Sequence, residues 1–158
     1  MTPTAAVAGV DEAAVRAALA EVPDPEIPIV SIVDLGMVER VEVGADGISV
    51  ELLPTFVGCP ALDMIRASVL DRLAAFDRPV SVDFSYRVPW TSERISEPGR
   101  DRLRRAGFAP PVDDPIDTRC PHCNSADVAL DNLFGPTQCR SLFYCRACRQ
   151  PFESFKTI

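Results

Sequence analysis

Two cysteine pairs constrain this chain more than any other feature: Cys120 and Cys123 in "CPHC", and Cys145 and Cys148 in "CRAC". Each Cys-x-x-Cys turn can present two thiolates, and two such turns joined by intervening strands supply a tetrahedral four-sulfur shell. A closed shell of this kind holds zinc structurally and leaves no open position for a substrate; iron in the same shell is the minor alternative. Two redox-active thiol pairs would be the competing use, but nothing nearby reads as a thioredoxin-like βαβ unit. A segment this short has little core of its own, so metal binding must provide much of its folding free energy. Tight turns of this type need positive φ just after the second cysteine. Asn124 and Arg149 hold those places; Asn tolerates the conformation and Arg does so at some cost. His122 lies between two ligands but is expected to point outward, because four cysteines already complete the set.

The composition limits what the rest can be. With 158 residues and 47% hydrophobic side chains, the chain can build one ordinary domain plus a small appendage. A net charge of -7 argues against tight binding to nucleic acid. That charge is uneven: Arg119, Arg140, Arg146, Arg149 and Lys156 outnumber Asp127, Asp131 and Glu153 in the tail, so the acidic excess sits in the body. The stretch "MTPTAAVAGVDEAAV" lacks the basic opening of a secretory signal, and no apolar run reaches membrane-spanning length. The expectation is a cytoplasmic protein with no membrane partner, whose six cysteines serve metal or thiol chemistry rather than disulfides.

Periodicity predicts an α+β fold, a small sheet with helices on one face, followed by a C-terminal zinc ribbon. A first helix is capped by Asp11, with Val15, Leu19 and Val22 on one face, and "PDPEIPI" stops it. "MVERVEV" and "ISVELLP" flank the turn "GADG" as a hairpin. "PALDMIRASVLDRLAAF" places Leu62, Ile65, Val69, Leu73 and Phe76 on one helical stripe, and "VSVDFSY" reads as a third strand. A short, solvated helix around Leu103 ends at Gly107, and "APPVDDPID" reads as an extended linker. The expected division is an α+β domain over residues 1–112, then linker and ribbon over 113–158.

Cys59, in "TFVGCPALDM", stands apart from the other cysteines. With Pro60 opening a helix, its sulfur would sit beside unpaired amides and the positive end of the helix dipole, which favour a thiolate. Gly58 would permit close backbone approach. The same letters also suit a plain strand-to-helix turn with a buried cysteine. No histidine other than His122 is available as a base, so a Cys/His hydrolase is disfavoured, whereas metal hand-off needs a soft ligand and no base. Asp24, Glu26 and Asp34 are polar residues among apolar neighbours; Asp24 and Asp34 suit side-chain-to-backbone bonds in turns. Trp90 is expected to cover the core edge. Cys139 reads first as a buried small side chain, and otherwise as a spare ligand or transfer thiol. Phe134, Phe143, Tyr144, Phe152 and Phe155 suit a ribbon core as much as a base-stacking platform.

The segments "DPEIPIVSIVDLGMVERVEV", "TFVGCPALDMI" and "WTSERISEPGRDRLRRAGFAPP" resemble the small domain of iron–sulfur cluster assembly factors of the SufT type and of the eukaryotic cytosolic pathway. The tail "CPHCNSADVALDNLFGPTQCRSLFYCRACRQPFESFK" resembles the PaaD branch, accessory subunits of the bacterial phenylacetyl-CoA ring epoxidase. That resemblance implies a non-catalytic factor in phenylacetate degradation that matures the epoxidase, supplying or repairing iron–sulfur or iron centres of its reductase or oxygenase subunits. It implies Cys59 as the functional thiol, the acidic turn of Asp24 and Glu26 near it, and zinc on Cys120, Cys123, Cys145 and Cys148. A transient cluster or iron is the implied cargo. One thiol cannot hold a cluster alone, so a homodimer, other iron–sulfur assembly proteins or Cys139 would supply further ligands. A purely structural adaptor of the epoxidase is the competing reading.

Overall fold

The computed structural model describes residues 9–157, so most of the N-terminal stretch without a basic opening lies outside the described residues. Helix α1 (Glu12–Leu19) starts where Asp11 Oδ1 accepts the Ala14 N–H at 2.8 Å, and it buries Val15 and Leu19 completely. Strands β1 (Val38–Gly44) and β2 (Gly47–Leu52) form the antiparallel hairpin. A register shift between Val38 and Arg40 explains why the apolar positions of β1 step by three residues, then by two. Helix α2 (Leu62–Leu73) buries Ile65, Val69 and Leu73, and returns the chain to β3 (Val80–Phe84), which pairs parallel to β2. The sheet order is β1-β2-β3. One face carries Val41, Val50, Leu52 and Val82 into the core. The opposite face carries Arg40, Glu42 and Glu51, with Arg40 and Arg87 both paired to Glu51.

Helix α3 (Glu97–Arg105) begins with the Ser96 hydroxyl accepting from the Gly99 N–H, and Gly107 follows its end at φ 86°. It packs so closely on the Asp34 loop that a Cβ on Gly99 would lie 2.8 Å from the Asp34 carbonyl oxygen. Asp34 is buried, accepts the Ser31 N–H at 2.9 Å, and receives a hydrogen bond from Arg102. The turn role expected of it is therefore joined by an ion pair that anchors α3.

The ribbon sheet is not built from the tail alone. Strand β4 (Phe108–Ala109), which leaves α3, pairs parallel to β7 (Pro151–Phe155). Strands β5 (Val128–Asn132) and β6 (Arg140–Cys145) complete the order β4-β7-β6-β5. The ribbon core is small: Ala109, Cys120, Phe143, Cys145 and Phe152, with the rings of Phe143 and Phe152 stacked at 5.6 Å. Phe155 belongs instead to the main core, 6.3 Å from the Trp90 ring. Trp90 is inside that core rather than at its edge: it is 3% exposed and donates to the Leu35 carbonyl at 2.7 Å. Phe134 and Tyr144 are exposed, so the five tail aromatics divide between two cores and the surface. Among the described residues no helix is long and apolar enough to cross a membrane.

Candidate metal centre and thiol cavity

The turn after β4 and the turn between β6 and β7 bring Cys120, Cys123, Cys145 and Cys148 together, with all four sulfurs within 4.8 Å of one another. The Cys120–Cys148 and Cys123–Cys145 separations are 3.7 and 3.6 Å. Tetrahedral zinc–thiolate bonds of about 2.3 Å require sulfur–sulfur edges of roughly 3.8 Å, so the donor set fits zinc in chemistry and in size. Both turns adopt the backbone that the sequence demands: φ is 61° at Asn124 and 60° at Arg149. The Asn124 N–H bonds the Cys120 carbonyl at 2.8 Å, and the His122 N–H points at the Cys120 sulfur at 3.4 Å. The His122 side chain is exposed and outside the sulfur cluster. Cys145 and Cys148 are shifted in opposite directions. A backbone hydrogen bond from Cys148 lowers Cys145 to about 7, whereas burial pushes Cys148 up to about 12. A cation among the sulfurs would favour loss of all four protons.

Cys59 ends the turn that follows β2. Its N–H bonds the Phe56 carbonyl, and its own carbonyl accepts from Leu62, both at 3.3 Å. The helix begins at Leu62 with Ala61 at its N-cap, so Cys59 lies two residues further from the helix start than a start at Pro60 would give. Gly58 is required for its φ of 78° and not for close approach, since a Cβ there would meet nothing within 4 Å. Cys59 is half-buried against the core and lines a cavity of about 320 Å³ together with Glu26, Phe56, Pro60, Thr137 and Cys139. Asp24 does not line this cavity and is a turn residue: its Oδ1 accepts the N–H groups of Glu26 at 2.9 Å and Ile27 at 2.8 Å. That geometry holds Glu26 where it lines the cavity.

Cys139 enters from the ribbon, on the loop before β6. Its sulfur is 3.1 Å from the Thr137 hydroxyl, and its carbonyl accepts the Lys156 N–H. Burial raises its pKa above the usual thiol range, opposed by the Thr137 hydroxyl and the charge of Arg140. Arg140 was not singled out by sequence reasoning. Its side chain is 8% exposed, 2.7 Å from Glu153 and 3.9 Å from Glu26. Its Nε donates to Thr137 at 2.8 Å, and its guanidinium lies 5.4 Å from the Phe108 ring centre. One cation therefore ties the acidic turn, β4, the Cys139 loop and β7 together. No spacing rule marks it, because each partner comes from a different stretch of chain.

Fold and site together define a class: an iron–sulfur-assembly-type α+β body joined to a four-cysteine zinc ribbon. Residues 12–84 match the family described as iron–sulfur cluster assembly protein, and residues 111–156 match the PaaD zinc beta ribbon domain. The chain is 36% identical over 149 residues to a putative 1,2-phenylacetyl-CoA epoxidase subunit from Escherichia coli, covering 90% of each chain. It belongs to the PaaD family. It is also 37% identical over 77 residues to an Fe-S protein maturation auxiliary factor of Porphyromonas gingivalis, covering 47% of this chain and 72% of that one. Among solved structures, a DUF59 domain from Bacillus anthracis superposes with a TM-score of 0.55 at 29% identity, over 58% of this chain and 90% of that chain. A conserved hypothetical protein from Thermotoga maritima gives 0.52 at 27% identity, over 60% and 94% respectively.

Proposed function

We propose that this protein is a non-catalytic accessory factor that matures the phenylacetyl-CoA ring epoxidase in the cytoplasm, supporting assembly or repair of its iron–sulfur or iron centres. The observation that carries the reading is Cys59: a half-buried thiol opening into a cavity beside Glu26, on a body of the iron–sulfur assembly family. The relationship to an epoxidase component supports the client, and the relationship to a maturation factor supports the task. In this reading residues 1–112 act on the metal cargo. Residues 113–158 form the linker and ribbon, whose zinc on Cys120, Cys123, Cys145 and Cys148 is structural and whose surface docks the reductase or the oxygenase. Asp24 shapes the acidic turn and Glu26 presents its carboxylate to the cavity. His122 does not line that cavity, so the thiol has no imidazole base there, and ligand exchange suits it better than nucleophilic catalysis.

Growth on phenylacetate tests this reading. A strain lacking the chain and complemented with Cys59→Ser should fail to grow although the variant accumulates folded and zinc-loaded. Iron and sulfide in the epoxidase subunits purified from that strain should fall in parallel. Full growth with Cys59→Ser would replace the reading by that of a structural adaptor, in which both domains serve only as docking surfaces.

A further inference from the structure

Cys139 is absorbed neither by the ribbon's four-sulfur site nor by the role given to Cys59, yet it lines the same cavity as Cys59 from the opposite side of the body–ribbon junction. We propose that Cys59 and Cys139 together form a two-thiolate seat for iron, closed by the body on one side and the ribbon on the other. This deepens the proposed function and rests on Cys59 being its working thiol.

Three observations carry it. First, the two sulfur-bearing residues arrive on independent elements, the turn before α2 and the loop before β6, and meet at one cavity of about 320 Å³. That volume has room for a metal ion and a group from a client. Second, the cavity also holds Glu26, whose carboxylate lies 3.9 Å from Arg140, while the closer contact of Arg140, at 2.7 Å, is to Glu153, so part of the Glu26 charge still faces a cation. Third, the backbone that carries Cys139 is held in place: the Lys156 N–H donates to its carbonyl at 2.8 Å, and the Gly135 N–H bonds the Arg140 carbonyl at 2.9 Å.

Among the described residues only the ribbon cysteines form a group of three or more ligand atoms within 4.8 Å of one another, so the proposed seat closes by rotation of the two cavity side chains onto a bound ion. As each sulfur–iron bond forms, the thiol releases its proton to solvent. Two thiolates then match the charge of a ferrous ion, and the iron stays ferrous. Two protein sulfurs leave half of a tetrahedral shell open, which is the arrangement a hand-off requires because the client's ligands complete it.

The test uses the full chain, zinc-loaded and reduced, titrated with ferrous iron without oxygen. Near-ultraviolet thiolate-to-iron absorption and the iron retained after gel filtration are the readouts. The wild type should bind iron with that absorption. Cys59→Ser and Cys139→Ser should each weaken binding by more than the about tenfold cost of losing a supporting partner at a metal site. Zinc content and circular dichroism establish that each variant is folded, and Cys139→Ala serves where Cys139→Ser is not. Iron binding by a folded Cys139 variant equal to the wild type would overturn the two-thiol seat; if Cys59→Ser still abolished it, the role of Cys59 would stand. Loss in neither variant, or no iron bound by the wild type, would overturn the seat outright.

Discussion

Arg140, on the first residue of a ribbon strand, lies 3.9 Å from Glu26 in the acidic turn of the body and 2.7 Å from Glu153 on the neighbouring ribbon strand. A buried guanidinium at such a junction stabilises only while its partners surround it, because stranding a charge in a poorly solvated place is costly. The same clasp carries Cys139, the adjacent residue in the chain, to the cavity that Cys59 lines.

Replacing Arg140 with Met should therefore destabilise the folded chain by about 2 kcal/mol, below the full cost of breaking a buried pair because both glutamates are partly exposed. Thermal unfolding of the zinc-loaded protein reads this directly. Alkylation of Cys139 should also accelerate as its loop loosens.

Zinc removal should affect more than the ribbon. Metal binding supplies on the order of 10 kcal/mol to small zinc domains, and the five buried residues of this ribbon core are too few to replace it. Chelation should therefore erase amide protection in β5, β6 and β7. Because Phe155 sits in the main core against Trp90, protection should also fall around Trp90. Hydrogen exchange with and without a chelator measures both. Lowering the pH should release zinc as the thiolates take up protons.

Arg149 occupies a left-handed backbone position, φ 60°, that costs an L-residue about 1–2 kcal/mol. Arg149→Gly should remove most of that strain and raise the melting temperature of the zinc-loaded protein. Its exposed side chain forms no ion pair among the described residues, so little is lost in exchange.

Cys139 should titrate late. Burial holds its proton more tightly in the folded protein than in the unfolded chain. The stabilisation this gives is fully present below the ordinary thiol pKa, and is lost as pH rises through the raised folded value. Iodoacetamide should accordingly modify Cys139 slowly at about pH 8, near the ordinary thiol pKa, and faster as pH climbs above that range, with the rate profile read by mass spectrometry. Bound iron should abolish that reactivity.

Much of this protein was legible locally. The two cysteine turns announced the metal centre, and Asn124 and Arg149 took the positive φ expected after each pair. Asp11 capped its helix, and the hairpin and the α2 stripe formed where periodicity put them. These features depend on backbone geometry over a few residues, so spacing alone specifies them. The helix starts at Leu62 rather than Pro60, and Gly58 serves its own positive φ rather than a close approach, because a turn's dihedral angles are not written in its letters.

The sequence by itself determined the α+β body, the two cysteine pairs that cluster in the ribbon and the presence of one isolated thiol. Tertiary structure alone decided that β4 joins the ribbon sheet, that Phe155 enters the body's core, and that Arg140 is a buried clasp. It also decided that Cys139 shares a cavity with Cys59. The reason is physical: turns and helices are specified by neighbours in the chain. Which distant side chains meet is settled only by how two packed units fit against each other, and that fit leaves no period in the sequence to read.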